Sequence, residues 1–228
     1  MEQLPNGYTL SLPEGCFPLS TDSMVLADFV RPCATVLDLG SGCGTLGLLL
    51  CAENEQCHVT GIELDPVAHK AALENIRRNS LTARMKSICA DLRTVNRLVA
   101  AGEFRCCVSN PPYFSGGPES KHTPLARRND CCESEALFRS AAWALCWGGD
   151  FYIVHKPEQL AHLCGCAVKN GLEPKRLRLI RHRPGGPVAL ILLQCRKGGK
   201  PGLIWEEETL FDPEGNPTTY YNKVYHRN

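Results

Sequence analysis

The stretch TVLDLGSGCG, residues 35–44, constrains this chain more than any other. Thr35–Leu39 reads as a buried strand that runs into a turn of closely spaced glycines, and Thr45–Ala52 then reads as a helix. The same alternation continues downstream. His58–Leu64 reads as a second strand, and Pro66–Asn79 as a helix with proline in its first turn and Val67, Ala71 and Ile76 on its apolar side. Ala83–Cys89 and Phe104–Ser109 supply a third and a fourth strand. Glu133–Trp147 reads as a helix stopped by Gly148-Gly149, Asp150–His155 as a fifth strand, and Glu158–Asn170 as a helix ending at Gly171. Strands alternating with helices call for an α/β fold, a mostly parallel sheet with helices on both faces. Arg176–Arg181 and Val188–Cys195, joined by RPGGP, read as a final hairpin that adds an antiparallel strand at the sheet edge.

With 228 residues the chain suffices for one substantial α/β domain. Residues 1–32 read as an extension over the sheet's active end, and residues 33–228 as the catalytic core. No apolar run reaches the roughly 18 residues of a membrane span, and the N-terminus lacks a secretory pattern, so a cytoplasmic protein is expected. There are 14 cysteines, but none are spaced as Cys-x-x-Cys. Thiols such as Cys51, Cys89, Cys146 and Cys195 are expected to pack as small hydrophobes, with no metal site. Charge is nearly balanced at +1, yet Lys169–Lys200 is basic, with Glu173 its only acid, and Glu206, Glu207 and Glu208 follow. A basic stretch in a neutral chain suggests contact with a polyanion.

Glycines at 40, 42 and 44 let the backbone turn tightly and come close to a ligand. Asp38 ends the first strand, and Glu63 ends the second about 20 residues past the glycines, where a carboxylate accepts from ribose hydroxyls. A nicotinamide dinucleotide is one candidate, but its fingerprint places the third glycine one position later, and a pyrophosphate is repelled by Asp38. S-adenosylmethionine carries an ammonium and a sulfonium and no phosphate, so an acidic glycine pocket suits it. Asp91, after the third strand, is placed for the adenine amine. Leu64 and Leu92, which follow these acids, and Asn110, after the fourth strand, also belong to the expected cofactor set.

Asn110-Pro111-Pro112-Tyr113 follows the fourth strand, at the carboxyl edge where ligands bind in such sheets. Its prolines stiffen the turn and remove amide donors, leaving carbonyl acceptors. An amine conjugated to a ring is a poor nucleophile. Two acceptors, the Asn110 side-chain oxygen and the Pro111 carbonyl, would hold its hydrogens and aim its lone pair at an electrophilic methyl. Tyr113 and Phe114 would stack on the planar substrate.

These motifs resemble those of the class I S-adenosylmethionine-dependent amino-methyltransferases. That resemblance implies a Rossmann-like seven-stranded sheet whose last strand is antiparallel. FPLSTDSMVLADFV, GIELD, NPPYF and the segment KGGKPGLIWEEETLFDPEGNPTTYYNKVYH are similar to the bacterial tRNA1(Val) adenine methyltransferase family. This implies an RNA substrate, an adenine beside the anticodon, held by Asn110, Pro111, Pro112 and Tyr113. It also implies that a Thr21-Asp22-Ser23 turn lies over the cofactor, which adds Asp22 to the site. Lys121, Arg127, Arg128, Arg181 and Arg183 are expected to contact RNA phosphates. Two further readings stand: a protein glutamine methyltransferase, which shares the Asn-Pro-Pro-Tyr loop, and a non-catalytic RNA-binding protein.

Overall fold

The structure, a computed structural model, describes residues 2–4, 7–16, 18–111 and 130–226, with residues 130–133 described in backbone only. Its strands are β1 (Glu2–Gln3), β2 (Thr9–Leu10), β3 (Thr35–Leu39), β4 (His58–Glu63), β5 (Met85–Cys89), β6 (Phe104–Ser109), β7 (Leu145–His155), β8 (Leu172–Arg181), β9 (Val188–Lys197) and β10 (Ile204–Thr209). The helices are α1 (Thr21–Phe29), α2 (Thr45–Glu53), α3 (Pro66–Arg78), α4 (Asp130–Ala144), α5 (Leu160–Lys169) and α6 (Thr219–Val224), with a 3-10 helix at Leu92–Arg97.

β1 and β2 pair only with each other, and the remaining strands form one sheet ordered β5-β4-β3-β6-β7-β9-β8-β10. β5 to β7 run parallel through β3. β9 is antiparallel to both of its neighbours, β7 and β8. The expected hairpin therefore forms, but its antiparallel strand lies inside the sheet, and the seven expected strands become eight. The extra strand, β10, runs parallel to β8 with Glu206 opposite Arg178 and Glu208 opposite Ile180. Glu206 and Glu207 of this edge strand form ion pairs with Arg176, Arg178 and Arg181 of the next, and opposite charges on neighbouring strands stabilise the pairing.

Period-two alternation sorts side chains onto two cores. Val36, Cys106, Val108, Tyr152 and Val154 join α1, α2, α3 and α6 on one face. Leu37, Leu39, Cys107, Phe151 and Ile153 join α4, α5 and the 3-10 helix on the other. α3 opens on Asp65, whose carboxylate accepts from the Val67 amide at 2.9 Å, the expected N-cap interaction. Its buried face is Ala68, Ala71, Ala72 and Ile76, whereas Val67 is exposed. The helix expected to run to Trp147 ends at Ala144. Leu145 already pairs with Phe104 on β6, and the register shifts before Cys106 takes Asp150. Gly148, at φ +77°, turns the chain in that irregular stretch.

The twelve described free cysteines are mixed in placement: Cys51 and Cys195 are buried in the cores, Cys146 is half-buried and Cys89 is exposed. No described helix is long and apolar enough to cross a membrane.

Candidate functional site

From β3 the chain moves outward to β4 and β5, then returns to the other side of β3 to make β6. Loops leaving the carboxyl ends of β3 and β6 therefore diverge, and the crevice between them is where open α/β sheets bind ligands. The register aligns Asp38 with Val108, so the glycine loop and the Asn110 loop leave the sheet at the same level. Ser109 ties the two strands together there, its hydroxyl donating to the Leu39 carbonyl at 2.7 Å.

Gly40, Gly42 and Gly44 take φ values of +75°, +55° and +85°, a left-handed run that any side chain would strain. Between and before them lie two polar groups without partners. Asp38 Oδ2 and Ser41 Oγ are buried and lack a hydrogen-bond partner among the described residues. Burial, reinforced by the nearby Glu63, pushes the Asp38 carboxyl up to about 7. The Ser41 side chain is admitted by Gly61, where a Cβ would stand 2.6 Å from Ser41 Oγ. Buried polar atoms are almost always satisfied, so this pair has bonding capacity that a ligand could complete.

Glu63 braces the same loop. Its carboxylate accepts from the Gly42 amide at 2.7 Å and from the Asp65 amide at 2.8 Å. Each carboxylate oxygen has a second lone pair, so capacity remains for a diol. A crevice of two acids, a hydroxyl and glycine backbone fits S-adenosylmethionine, whose ammonium and sulfonium outnumber its one carboxylate. From α3, buried Asn75 donates to the Cys43 carbonyl at 2.9 Å and pairs with the Ser11 backbone. It fixes the glycine loop and the N-terminal segment together.

Leu64 is half exposed beside Glu63, as a residue covering an adenine face would be, and Leu92 packs at the edge of the second core. Asp91 caps the 3-10 helix, accepting from the Arg93 amide at 2.9 Å and from Arg93 Nε at 2.7 Å. The Arg93 hydrogen bonds hold its carboxyl below the usual range.

Asn110 and Pro111 stand at the end of β6. The Asn110 amide nitrogen donates to Ser23 Oγ at 2.9 Å. Thr21, Asp22 and Ser23 form the first turn of α1 rather than an isolated turn, and α1 brings them to the catalytic loop. Pro112, Tyr113, Phe114, Lys121, Arg127 and Arg128 lie outside the described residues.

The basic stretch is largely paired within the protein. Arg176 and Arg178 both bind Glu206, and Arg178 also binds Asp28 at 2.7 Å. Arg196 binds Asp150 at 2.9 Å. Arg181 Nε donates to Glu207 at 2.7 Å, whereas Arg183 is exposed in the β8–β9 loop. Sequence reasoning named Ser23 only within the Thr21-Asp22-Ser23 turn implied by the resemblance and did not single out Ser41 or Asn75. Only Ser41, set between two glycines, carried a local signal.

An acid-lined glycine loop facing an Asn-Pro step across the switch point of this sheet defines an S-adenosylmethionine-dependent methyltransferase. Residues 21–164 match the profile of the methyltransferase small domain, and the chain belongs to that family. Among its relatives is the tRNA1(Val) (adenine(37)-N6)-methyltransferase of Bacteroides fragilis, 31% identical over 74% of this chain and 73% of the relative. Another is the enzyme of the same name from Tolumonas auensis, 33% identical over 84% of this chain and 80% of the relative. A crystal structure described as a predicted O-methyltransferase from Agrobacterium tumefaciens shares the fold, with a TM-score of 0.76 and 21% identity over 91% of this chain and 96% of that one. A geranyl diphosphate methyltransferase in complex with SAM shares it at a TM-score of 0.55 and 13% identity, over 77% of this chain and 84% of that one.

Proposed function

We propose that the protein transfers the methyl group of S-adenosylmethionine to the exocyclic amine of the adenine at position 37 of tRNA1(Val), a cytoplasmic reaction. The observation that carries this reading is the position of Asn110, beside the crevice where Asp38 and Ser41 keep unpartnered buried oxygens. The relatives named above support the choice of tRNA adenine as acceptor.

The cofactor supplies an electrophilic methyl carbon on a sulfonium. Asp38 and Ser41 would hold the α-ammonium of its amino-acid end, Glu63 its ribose, and Leu64 and Leu92 its adenine. Asn110 Oδ1 and the Pro111 carbonyl would accept the two hydrogens of the target amine. This holds the nitrogen in place and turns its lone pair toward the methyl group. As the nitrogen–methyl bond formed, the sulfur–methyl bond would break and leave a neutral thioether, and the same two acceptors would stabilise the positive charge passed to nitrogen until a proton left to solvent. Acceleration comes from placement and fixed dipoles. Tyr113 and Phe114 would stack on the extruded base, with Arg183, Arg181, Lys121, Arg127 and Arg128 contributing phosphate contacts.

The test is direct: incubate the protein with methyl-labelled S-adenosylmethionine and bacterial tRNA lacking this modification, then digest and identify the labelled nucleoside. Label in N6-methyladenosine at position 37 is expected. Label in protein would move the acceptor to a glutamine amide, and label at another base would overturn the adenine assignment.

A further inference from the structure

We infer that Ser23 is a positioning residue for methyl transfer: its hydroxyl anchors the Asn110 amide by its nitrogen and leaves Oδ1 for the substrate amine. This deepens the proposed function and rests on it for the identity of that amine.

The need follows from the shape of the side chain. An asparagine amide looks nearly the same after a half-turn about its last bond, but the turn exchanges an acceptor for a donor. An N–H pair facing the substrate's own N–H groups binds nothing and pushes the amine away. A hydroxyl can accept from Nδ2 or donate to Oδ1, so Ser23 fixes where the amide sits, and the substrate's own N–H groups select the orientation with Nδ2 on Ser23 and Oδ1 on the amine. Ser23 Oγ accepts from Asn110 Nδ2 at 2.9 Å, and at 7% exposure Ser23 is shielded from competing water.

The hydroxyl sits on a firm support. Met24, Val25, Leu26 and Phe29 of α1 are buried in the first core. Thr21 Oγ1 lies 2.7 Å from Tyr225 Oη, so the C-terminal segment braces the same turn. At its other end α1 is held through Asp28, bonded to Arg178 and Lys223. Asn110 itself follows Ser109, which is bonded to β3. The backbone of the catalytic residue is thus fixed from the sheet and its side chain from α1, an element that neither the glycine loop nor the Asn-Pro-Pro-Tyr loop contains.

A thermodynamic cycle tests this. Ser23→Ala, Ser23→Thr, Asn110→Ala and the Ser23→Ala/Asn110→Ala double variant are compared for kcat, for KM toward tRNA and for S-adenosylmethionine affinity by calorimetry. Thermal melting verifies that each is folded. Ser23→Ala is expected to lower kcat about three- to tenfold, the span of one neutral hydrogen bond, with cofactor affinity unchanged. Ser23→Thr, which keeps the oxygen, should recover most of the loss. In the Asn110→Ala background the Ser23→Ala change should cost nothing further. The inference is overturned by a Ser23→Ala enzyme with wild-type kcat, by a loss that appears in cofactor affinity, or by losses that multiply in the double variant. If the wild-type enzyme labels protein instead of tRNA, the adenine reading fails, and the same cycle run on that acceptor still decides the role of Ser23.

Discussion

Asp38 and Asp28 are both secluded carboxylates, and the protein treats them in opposite ways. Asp28, with a side chain 10% exposed, is flanked by Arg178 and Lys223. Asp38 is more secluded, at 1% exposure, yet its Oδ2 has no partner among the described residues and its carboxyl is pushed up to about 7 by burial and by Glu63. Around Asp28, in the β8–β10 region, positive and negative groups meet one another, so that charge serves the fold. Around Asp38, at the carboxyl edge of β3, β4 and β6, the bonding is left incomplete. Polar groups that satisfy each other hold a structure together, whereas polar groups without partners keep bonding capacity for a ligand, which is the role proposed for Asp38.

Breaking the satisfied region should give the largest stability effect. Arg178→Ala leaves Asp28 and Glu206 each with one cation fewer, and removing one partner of a secluded ion pair costs about 3–5 kcal/mol. Because Lys223 and Arg176 remain, a loss near about 3 kcal/mol is expected in urea unfolding, with the response to S-adenosylmethionine retained. A variant as stable as the wild type would show that these pairs are incidental.

Changes at the incomplete region should act on binding instead. Glu63→Gln removes one charge from the expected ribose contact and should weaken S-adenosylmethionine about tenfold, a charge-assisted hydrogen bond being worth roughly 1.5–3 kcal/mol. The pH dependence is sharper. Without ligand, Asp38 is protonated below about 7, so binding a cation there must release a proton. Cofactor affinity should therefore rise with pH, by up to about tenfold per unit below the pKa, and level off above it. Stability of the ligand-free protein runs the other way: a carboxyl whose folded pKa is raised favours the fold below its unfolded pKa, and that contribution fades as pH climbs through about 7. Asp38→Asn should flatten both profiles, measured by calorimetry and by melting across pH 5–9. An unchanged affinity profile in the variant would assign the titration to another group.

The smallest effects should separate two neighbouring arginines. Arg181 is engaged by Glu207 and Arg183 is exposed. Arg183→Ala is expected to reduce the salt slope of tRNA binding by about one counterion, and Arg181→Ala by less than half of that. Equal slopes for both variants would mean that Glu207 releases Arg181 to the RNA.

How much of this could be read in advance follows from how local each signal is. β3 and β6 have the bounds read from the sequence, because an apolar run bounded by glycines or prolines states its own limits. Glu63 and Asp38 were recognisable by their distance from the glycines. β10 was missed because Ile204–Thr209 is half acidic, and its reason to be a strand lies in arginines of β8 with which it pairs. The same pairing explains why the basic stretch read as a surface for a polyanion: the sequence displays charge but not its partner. Asn75 was missed, and the bond from Ser23 to Asn110 was not read, for a related reason: each residue bonds to one distant in the chain, at Cys43 and at Asn110.

The most direct test compares wild-type protein with Asn110→Ala in two quantities: S-adenosylmethionine affinity by calorimetry, and the single-turnover rate of methyl transfer to unmodified tRNA. The account predicts an unchanged affinity and a rate lower by about 100- to 1000-fold, the usual consequence of removing one preorganised hydrogen-bonding group from a reaction centre. A rate within threefold of wild type, or a loss confined to cofactor affinity, would contradict it.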